Sequence, residues 1–387
     1  MERSTQQRST FEAVGWRTLP KSVSEKERLT LLETLRWMTQ MEDFLTPIYY
    51  DRRRNNRGFS NSLADLLYEY RIQRYRNLSK ASVRHDIIYS LLAMSGDQET
   101  SGIIPYHRKS FPELCRDIAV YLLGTKQAQA LQCCGYDEDD PDVTCSWSFN
   151  WTRRKNYSIN YSWMSSDSDP DGPPLYNASG NICEWWFQDY DYVLSLRALY
   201  VDKVQDVAQF SALLSEDLGR DPDPKDARTW IEMFEQYLDN HPHLSTERRS
   251  QAWRVPIADV NVNDDGRRTS DSLRAGFDQL KDKSASMEHQ YDARHTYAGA
   301  LSRKIGGAGN SHGSREVFIT SRGYIGLSIP TVKARDQVHI IAGGHVPLIL
   351  RPTGDGQFRI MSEAYVEGIM DGEAVSQDAK FEAISII

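Results

Sequence analysis

Apolar positions recur at three- and four-residue intervals through much of the first 260 residues, then change to alternation near the C-terminus. Behind a Ser24/Glu27 capping pair, Leu31, Leu32, Leu35, Met38 and Leu45 predict an amphipathic helix that stops before Pro47. Leu63, Leu66, Leu67, Tyr70 and Ile72 predict a second helix. Asp86 to Met94, apolar on most sides, predicts a short buried helix ending at Gly96. Ser110 and Glu113 form a capping box around Pro112, Leu114, Ile118, Tyr121 and Leu122 make one stripe, and Gly124 is placed to end the helix. Tyr192 to Tyr200 alternates like a strand. Two more helices are predicted, from Val204 to Leu218 with Val207, Phe210, Leu213 and Leu214 inward, and from Ala227 to Leu238 with Trp230, Ile231, Phe234 and Tyr237 inward.

From 259 to 314 the text is polar, poor in pattern, and closes on a glycine cluster, which reads as a connector. Beyond Arg315, short apolar runs such as Val317-Phe318-Ile319, Tyr324-Ile325-Gly326-Leu327 and Val338-His339-Ile340-Ile341 alternate between turn residues. Closely spaced strands of this kind predict an antiparallel β meander or small barrel. The expected fold class is α+β. A polar tail (1–23) leads to a mainly helical body with an aromatic-rich mixed segment (24–258), a polar linker (259–314) and a β module (315–387).

Composition narrows the function classes. The chain has 387 residues and 40% hydrophobic content, enough to bury a core, and a net charge of −8 with basic residues scattered among acids. Nucleic acid is therefore not an expected partner. No apolar run reaches the roughly 18–20 residues that cross a bilayer, and the first residues have no signal-peptide core, so no membrane is expected and the expected compartment is cytoplasmic. Five cysteines are too few for a disulfide scaffold and read as buried thiols.

Candidate chemistry is sparse. The acidic run Asp137 to Asp142 lacks the glycine and terminal glutamate of a calcium loop, and the 306–314 glycine cluster is followed by no Gly-Lys-Ser/Thr. The pairs His241/His243 and His289/His295 lack a further ligand at zinc spacing, and His345 at a strand end reads as structural. Neither a nucleophile elbow nor a dinucleotide-binding turn occurs. No catalytic residue, metal or cofactor is expected, and the chain is read as no enzyme. The alternative is a small-molecule pocket in the tryptophan-rich segment, lined by Trp151, Trp163 and Trp185.

Four C-terminal blocks carry a family resemblance: Phe318 to Leu327, Asp336-Gln337-Val338 with Gly343-Gly344, Val346 to Pro352, and Glu363 to Glu373. In this order they resemble the region C-terminal to the HET domain in fungal heterokaryon-incompatibility proteins. Weaker echoes, among them Asp86 to Met94, Ser146 to Trp151 and Leu175 to Gly180, extend the likeness over about Glu25 to Glu373. The motif positions Gly323, Tyr324, Gly326, Leu327, Gly344, Pro347, Arg351, Glu363, Tyr365, Val366, Gly368, Asp371 and Gly372 are expected to be structural. The family's TIR-like HET domain is marked by a Ser-Tyr-x-Trp-Gly-type and an Ile-Asp-Ala-x-Cys-Ile-Asn-Gln-type run, and neither string occurs here. The resemblance therefore implies a non-catalytic recognition or regulatory region without the signalling domain. It implies a protein partner, with a HET-domain protein as one candidate. A start at Met1 inside a longer reading frame is a further alternative, which the genomic sequence upstream would settle.

Overall fold

The computed structural model describes residues 61–67, 83–136, 145–151, 174–182, 186–190, 192–210, 224–261, 267–268, 271–282, 297–298, 300–301, 315–376 and 378–387. The chain divides into two compact units, Met1–Ser60 and Asn61–Ile387, and these residues all lie in the second. The helix expected behind Ser24, the acidic run, the glycine cluster, Trp163, Trp185, His289 and His295 lie outside the described residues.

The helices are α1 (Leu63–Leu67), α2 (Arg84–Leu92), α3 (Phe111–Lys126), α4 (Pro224–Asp239), α5 (Thr246–Gln251) and α6 (Asp271–Lys281). The strands are β1 (Phe187–Tyr190), β2 (Val193–Val207), β3 (Val260–Asn261), β4 (Arg267–Arg268), β5 (Glu316–Thr320), β6 (Ile325–Ser328), β7 (Gln337–Ile341), β8 (Leu348–Pro352), β9 (Phe358–Glu363), β10 (Tyr365–Val366) and β11 (Glu382–Ile386). The α+β class is observed.

Where the sequence signal is local, the helices follow it. In α3 the capping box is complete, and Leu114, Ile118 and Leu122 are buried. Tyr121 stands at the edge of this stripe, with its hydroxyl donating to Asp97. Gly124 does not end the helix; α3 runs on to Lys126 and leaves through Gln127, at φ 54°, into a 3-10 turn over Gln127–Cys133. Helix α2 stops at Leu92, short of Gly96. In α4, Ala227, Trp230, Ile231, Phe234, Tyr237 and Leu238 are buried, the face that the 3.6-residue period predicts.

One predicted helix is corrected. Val204 and Val207 end the long strand β2, and Phe210 follows it as a buried residue against Trp230, ring centroids 5.2 Å apart. Leu213 and Leu214 lie outside the described residues. The strand slips register between Tyr200 and Asp202 against β7, and between Val204 and Asp206 against β5. Its buried positions run Leu194, Leu196 and Ala198, then Val201, Asp202 and Val204. The bulge between Tyr200 and Asp202 inserts an extra residue, so the spacing of two up to Ala198 becomes three from Ala198 to Val201 and imitates a helix.

β2 also changes the topology from a meander. Nine strands form one sheet in the order β10-β6-β5-β2-β11-β9-β8-β7, with β1 and β7 also paired to β2. The path β2-β11-β9-β8-β7 thus returns to β2, closing a ring of hydrogen-bonded strands. The β11–β9 pair is parallel and the other pairs in the ring antiparallel.

Both faces of β5 are covered, so it reads as a continuous apolar run. Val317 and Ile319 pack with Trp230, Phe234, Phe277 and Tyr297, while Phe318 packs with Val201, Val338 and Ile340. Helix α6 lies within the 259–314 stretch read as a polar linker, yet it buries Leu273, Phe277 and Leu280. Its single apolar face was outweighed in the sequence by polar neighbours.

Candidate functional site

The structure brings two of the four C-terminal blocks and the Leu175–Gly180 echo to one place. The segment 177–182 threads between two loops. Asn177 N–H donates to Met370 O at 2.8 Å, Ala178 N–H to His345 O at 3.0 Å, and Ser179 N–H to Gly344 O at 3.1 Å. Gly343 N–H returns a bond to Ile182 O at 3.1 Å. Four backbone bonds therefore fasten this segment to the 343–345 and 370–372 loops, so neither loop can move without breaking them.

Glycine makes the approach possible. A Cβ on Gly372 would lie 2.9 Å from Gly180 Cα, and both residues have positive φ, 90° and 57°. Gly344 turns sharply, its N–H donating to Ile341 O at 2.8 Å, and a Cβ there would sit 2.9 Å from that oxygen. Gly368 also has positive φ, and neighbouring Glu367 N–H donates to Ile325 O at 3.0 Å. Asp371 N–H donates to the Glu373 carboxylate at 2.7 Å.

The remaining motif positions support the strands behind these loops. Gly326 pairs with Phe318 across β5–β6, and a Cβ would enter the Phe318 ring, 2.2 Å from its Cζ. Leu327, Val366 and Pro347 are buried, and Pro347 O accepts from Ala364 N–H at 2.9 Å. Gly323, at φ 77°, turns the β5–β6 hairpin, and Tyr324 beside it lies under Arg248, 3.7 Å from guanidinium carbon to ring centroid. Arg351 grips Asp336 with two donors at 2.8 and 2.9 Å and Thr331 O with another bond at 2.8 Å. Glu363 is bound by Arg315 at 2.9 Å, with both side chains nearly unexposed. Tyr365 donates to Glu367, and burial holds its hydroxyl well above the ordinary phenol pKa. Its ring lies 6.1 Å from that of Tyr176, whose hydroxyl donates to Ala258 O at 2.5 Å.

Arg315 belongs to this framework without having been singled out from sequence, and Asp336 and Gly180, read there only as parts of family blocks, belong to it too. Glu363 is 48 positions from Arg315, and no local pattern reports such a pair.

Titratable groups are shifted by burial. His339 on β7 is pushed down to about 4, and its Nδ1 lacks a hydrogen-bond partner while Nε2 meets Gln337 Oε1 at 2.9 Å. His345 is also lowered by burial. The His241 and His243 rings lie 5.7 Å apart, and His241 contacts Tyr237 O at 2.8 Å and Asp206 at 3.4 Å. Among the described residues no group of three or more His, Cys, Asp or Glu is placed to hold a metal. No helix there is long and apolar enough to cross a membrane. Cys115, Cys133, Cys134 and Cys145 are buried.

In the tryptophan-rich segment, Trp147 and Trp151 are buried and Trp186 is 46% exposed. Trp147, Phe149 and Trp151 join Leu122, Leu131 and Cys134 around a void of about 10 Å³. That is at most room for one water, far below the several hundred Å³ of a small-molecule pocket.

Residues 271–384 match the Het-6 beta-barrel domain. The chain is 23% identical over 346 residues to heterokaryon incompatibility protein 6, OR allele, of Neurospora crassa, an alignment covering 75% of this chain and 48% of that protein. The chain thus spans about half the length of the curated relative it matches. No solved structure matches. The C-terminal blocks, the domain match and this relative together show that the chain is related to the heterokaryon-incompatibility proteins, through their C-terminal region.

Proposed function

We propose that this chain is a non-catalytic recognition or regulatory region related to heterokaryon-incompatibility proteins, and that it acts by binding a protein partner without turnover. The observation that carries the reading is how the motif positions are used. Gly372, Gly344, Arg351, Glu363 and Tyr365 are spent on fixing backbone and burying ion pairs, so the 177–182, 343–345 and 370–373 segments form one rigid end of the β module. A preorganised loop cluster is what a docking surface needs, because little ordering entropy is then lost on binding. We read the closed strand ring as a small barrel, in agreement with the name of the matching domain.

The test is to add the purified chain to an extract of a heterokaryon-forming fungus and crosslink it. A recovered partner is then produced recombinantly and titrated against the chain by sedimentation. Formation of a defined complex, with no change in the small-molecule pool of the extract, is the expected result. Consumption of a metabolite by the chain alone would overturn the reading. The small-molecule alternative is not favoured, given the near-solid packing around Trp147 and Trp151.

A further inference from the structure

Three segments bring exposed cations to one position on β2. Lys203 lies on the strand itself, Arg322 in the turn of the β5–β6 hairpin, and Lys333 and Arg335 in the turn before β7; all four are exposed. Backbone bonds hold these segments together. Ser321 N–H donates to Lys203 O at 2.9 Å, Arg335 N–H to Val204 O at 2.9 Å, and Val204 N–H to Asp336 O at 2.8 Å. Arg322 N–H donates to the Asp202 carboxylate at 2.7 Å, and Lys333 N–H to that of Asp336 at 2.8 Å. Beside the cations stands Tyr200, 48% exposed and stacked edge-on against His339 at 5.5 Å, which in turn meets Phe358 at 5.3 Å. The Tyr200 hydroxyl is raised above the ordinary phenol pKa by partial burial and by Asp202, and Arg322 opposes them, which puts both charges next to it.

The acids of this region are drawn into the fold. Asp202 and Asp336 are buried on the backbone bonds just given, and Asp336 is also gripped by Arg351. Asp206, further along β2, meets His241 at 3.4 Å. The exposed carboxylates on adjoining segments are Asp355, in the hairpin after β8, and Glu382, opposite Ala198 on β11; counting both still leaves the cations in excess. Among the described residues none of the four cations forms an ion pair. Arg335 is held at φ 80°, a conformation that glycine adopts freely and a long side chain rarely does. Backbone strain of this kind concentrates at binding sites.

We propose that Lys203, Arg322, Lys333 and Arg335, with Tyr200 beside them, bind a phosphate monoester carried on a serine or threonine of a partner protein. The cations surround a point and do not follow a groove, which suits a group that places about two charges and three acceptor oxygens on one atom. Single-stranded nucleic acid calls for a basic track with successive aromatic platforms, and one exposed tyrosine is no such series. A membrane surface calls for apolar side chains to insert beside its basic cluster, and Tyr200 alone adjoins this one. Tyr200 would cover the partner's chain next to the phosphate, an aromatic contact typical of protein recognition. The proposal rests on the recognition reading above and names the chemistry of its partner. Strand β7 begins at this patch and ends at the 343–345 loop, so the two surfaces are separate.

The probe is a fluorescent library of short peptides with a central phosphoserine or phosphothreonine and mixed residues elsewhere, beside the same library without phosphate. Anisotropy titrations of the full chain should show the phosphorylated library binding at least about tenfold more tightly, with the difference shrinking as salt is added. Lys203→Glu with Arg322→Glu should abolish the preference, and Tyr200→Ser should weaken binding of the phosphorylated library. Arg335→Gly separates fold from function: glycine accepts the backbone conformation, so this variant should melt close to the parent chain and yet bind the phosphorylated library less tightly. Equal binding of the two libraries, or an undiminished preference in the charge variants, would overturn the proposal. So would tighter binding of a single-stranded oligonucleotide, or of vesicles containing phosphatidylinositol phosphates, than of the phosphorylated library. If the libraries bind equally while crosslinking still recovers a protein partner, this site is struck out and the recognition reading stands.

Discussion

Helix α3 and strand β2 are nearly equal in length, 16 and 15 residues, and are held by opposite means. The helix satisfies its backbone within itself and is stopped and started by its own residues, with Ser110 and Glu113 exchanging bonds across three positions. The strand satisfies almost nothing within itself: its partners are β1, β5, β7 and β11, and the last of these pairs Glu382 with Ala198. Losing one local bond in α3 should therefore be a small effect, whereas disturbing what packs on β2 and its neighbours should be large. Long-range pairing makes a sheet's members depend on one another.

The largest effect is expected at the buried ion pair beside β5. Arg315→Met should cost about 3–5 kcal/mol, because Glu363 is left charged and buried, and Arg315→Met with Glu363→Leu should recover much of that loss. Urea unfolding of the single and double variants measures the difference.

Acid should act next. His339 titrates at about 4 in the fold against an ordinary 6.5, a depression caused by burial. The unfolded chain thus takes up the proton first. The stability contributed by neutral His339 is complete above about pH 6.5, falls as the pH drops, and is lost by about pH 4. Full expression would amount to roughly 3 kcal/mol. His339→Leu should flatten this limb in a pH series of unfolding curves.

Overpacking at the loop cluster should be smaller. Gly372→Ala combines a φ of 90° with a contact 2.9 Å from Gly180 Cα, and about 1–3 kcal/mol is expected, read as a lowered melting midpoint. The same substitution at Gly354, which has open space around it, should change little and serves as the control. Ser110→Ala in α3 should cost least, about 1 kcal/mol, through loss of the cap.

The same contrast decides what could be read from sequence. Helices α3 and α4 were legible because cap and stripe lie within one stretch of chain. β2 was legible only as far as Tyr200, since the bulge beyond it shifts the buried set and mimics helical spacing at Val201 and Val204. Helix α6 was hidden by its polar faces. The motif glycines were expected to be structural, and Gly323, Gly368 and Gly372 sit at positive φ. Gly326 is different: it makes room for the Phe318 ring across the ladder, which only the pairing register reveals. The approach of Gly180 to Gly372 was beyond sequence reasoning, because nothing local links positions so far apart.

Residues 271–384 carry the match to the Het-6 domain, yet the strand on which the ring closes, Val193–Val207, lies upstream of them. Native-state hydrogen exchange on the whole chain tests most directly whether β2 is integral to the module. The amides of Leu196, Ala198 and Val204 should exchange only when those of β5, β7 and β11 do, with one shared opening free energy and one shared denaturant slope. Exchange of β2 by a separate, lower-energy opening, while β5, β7 and β11 stay protected, would contradict the account.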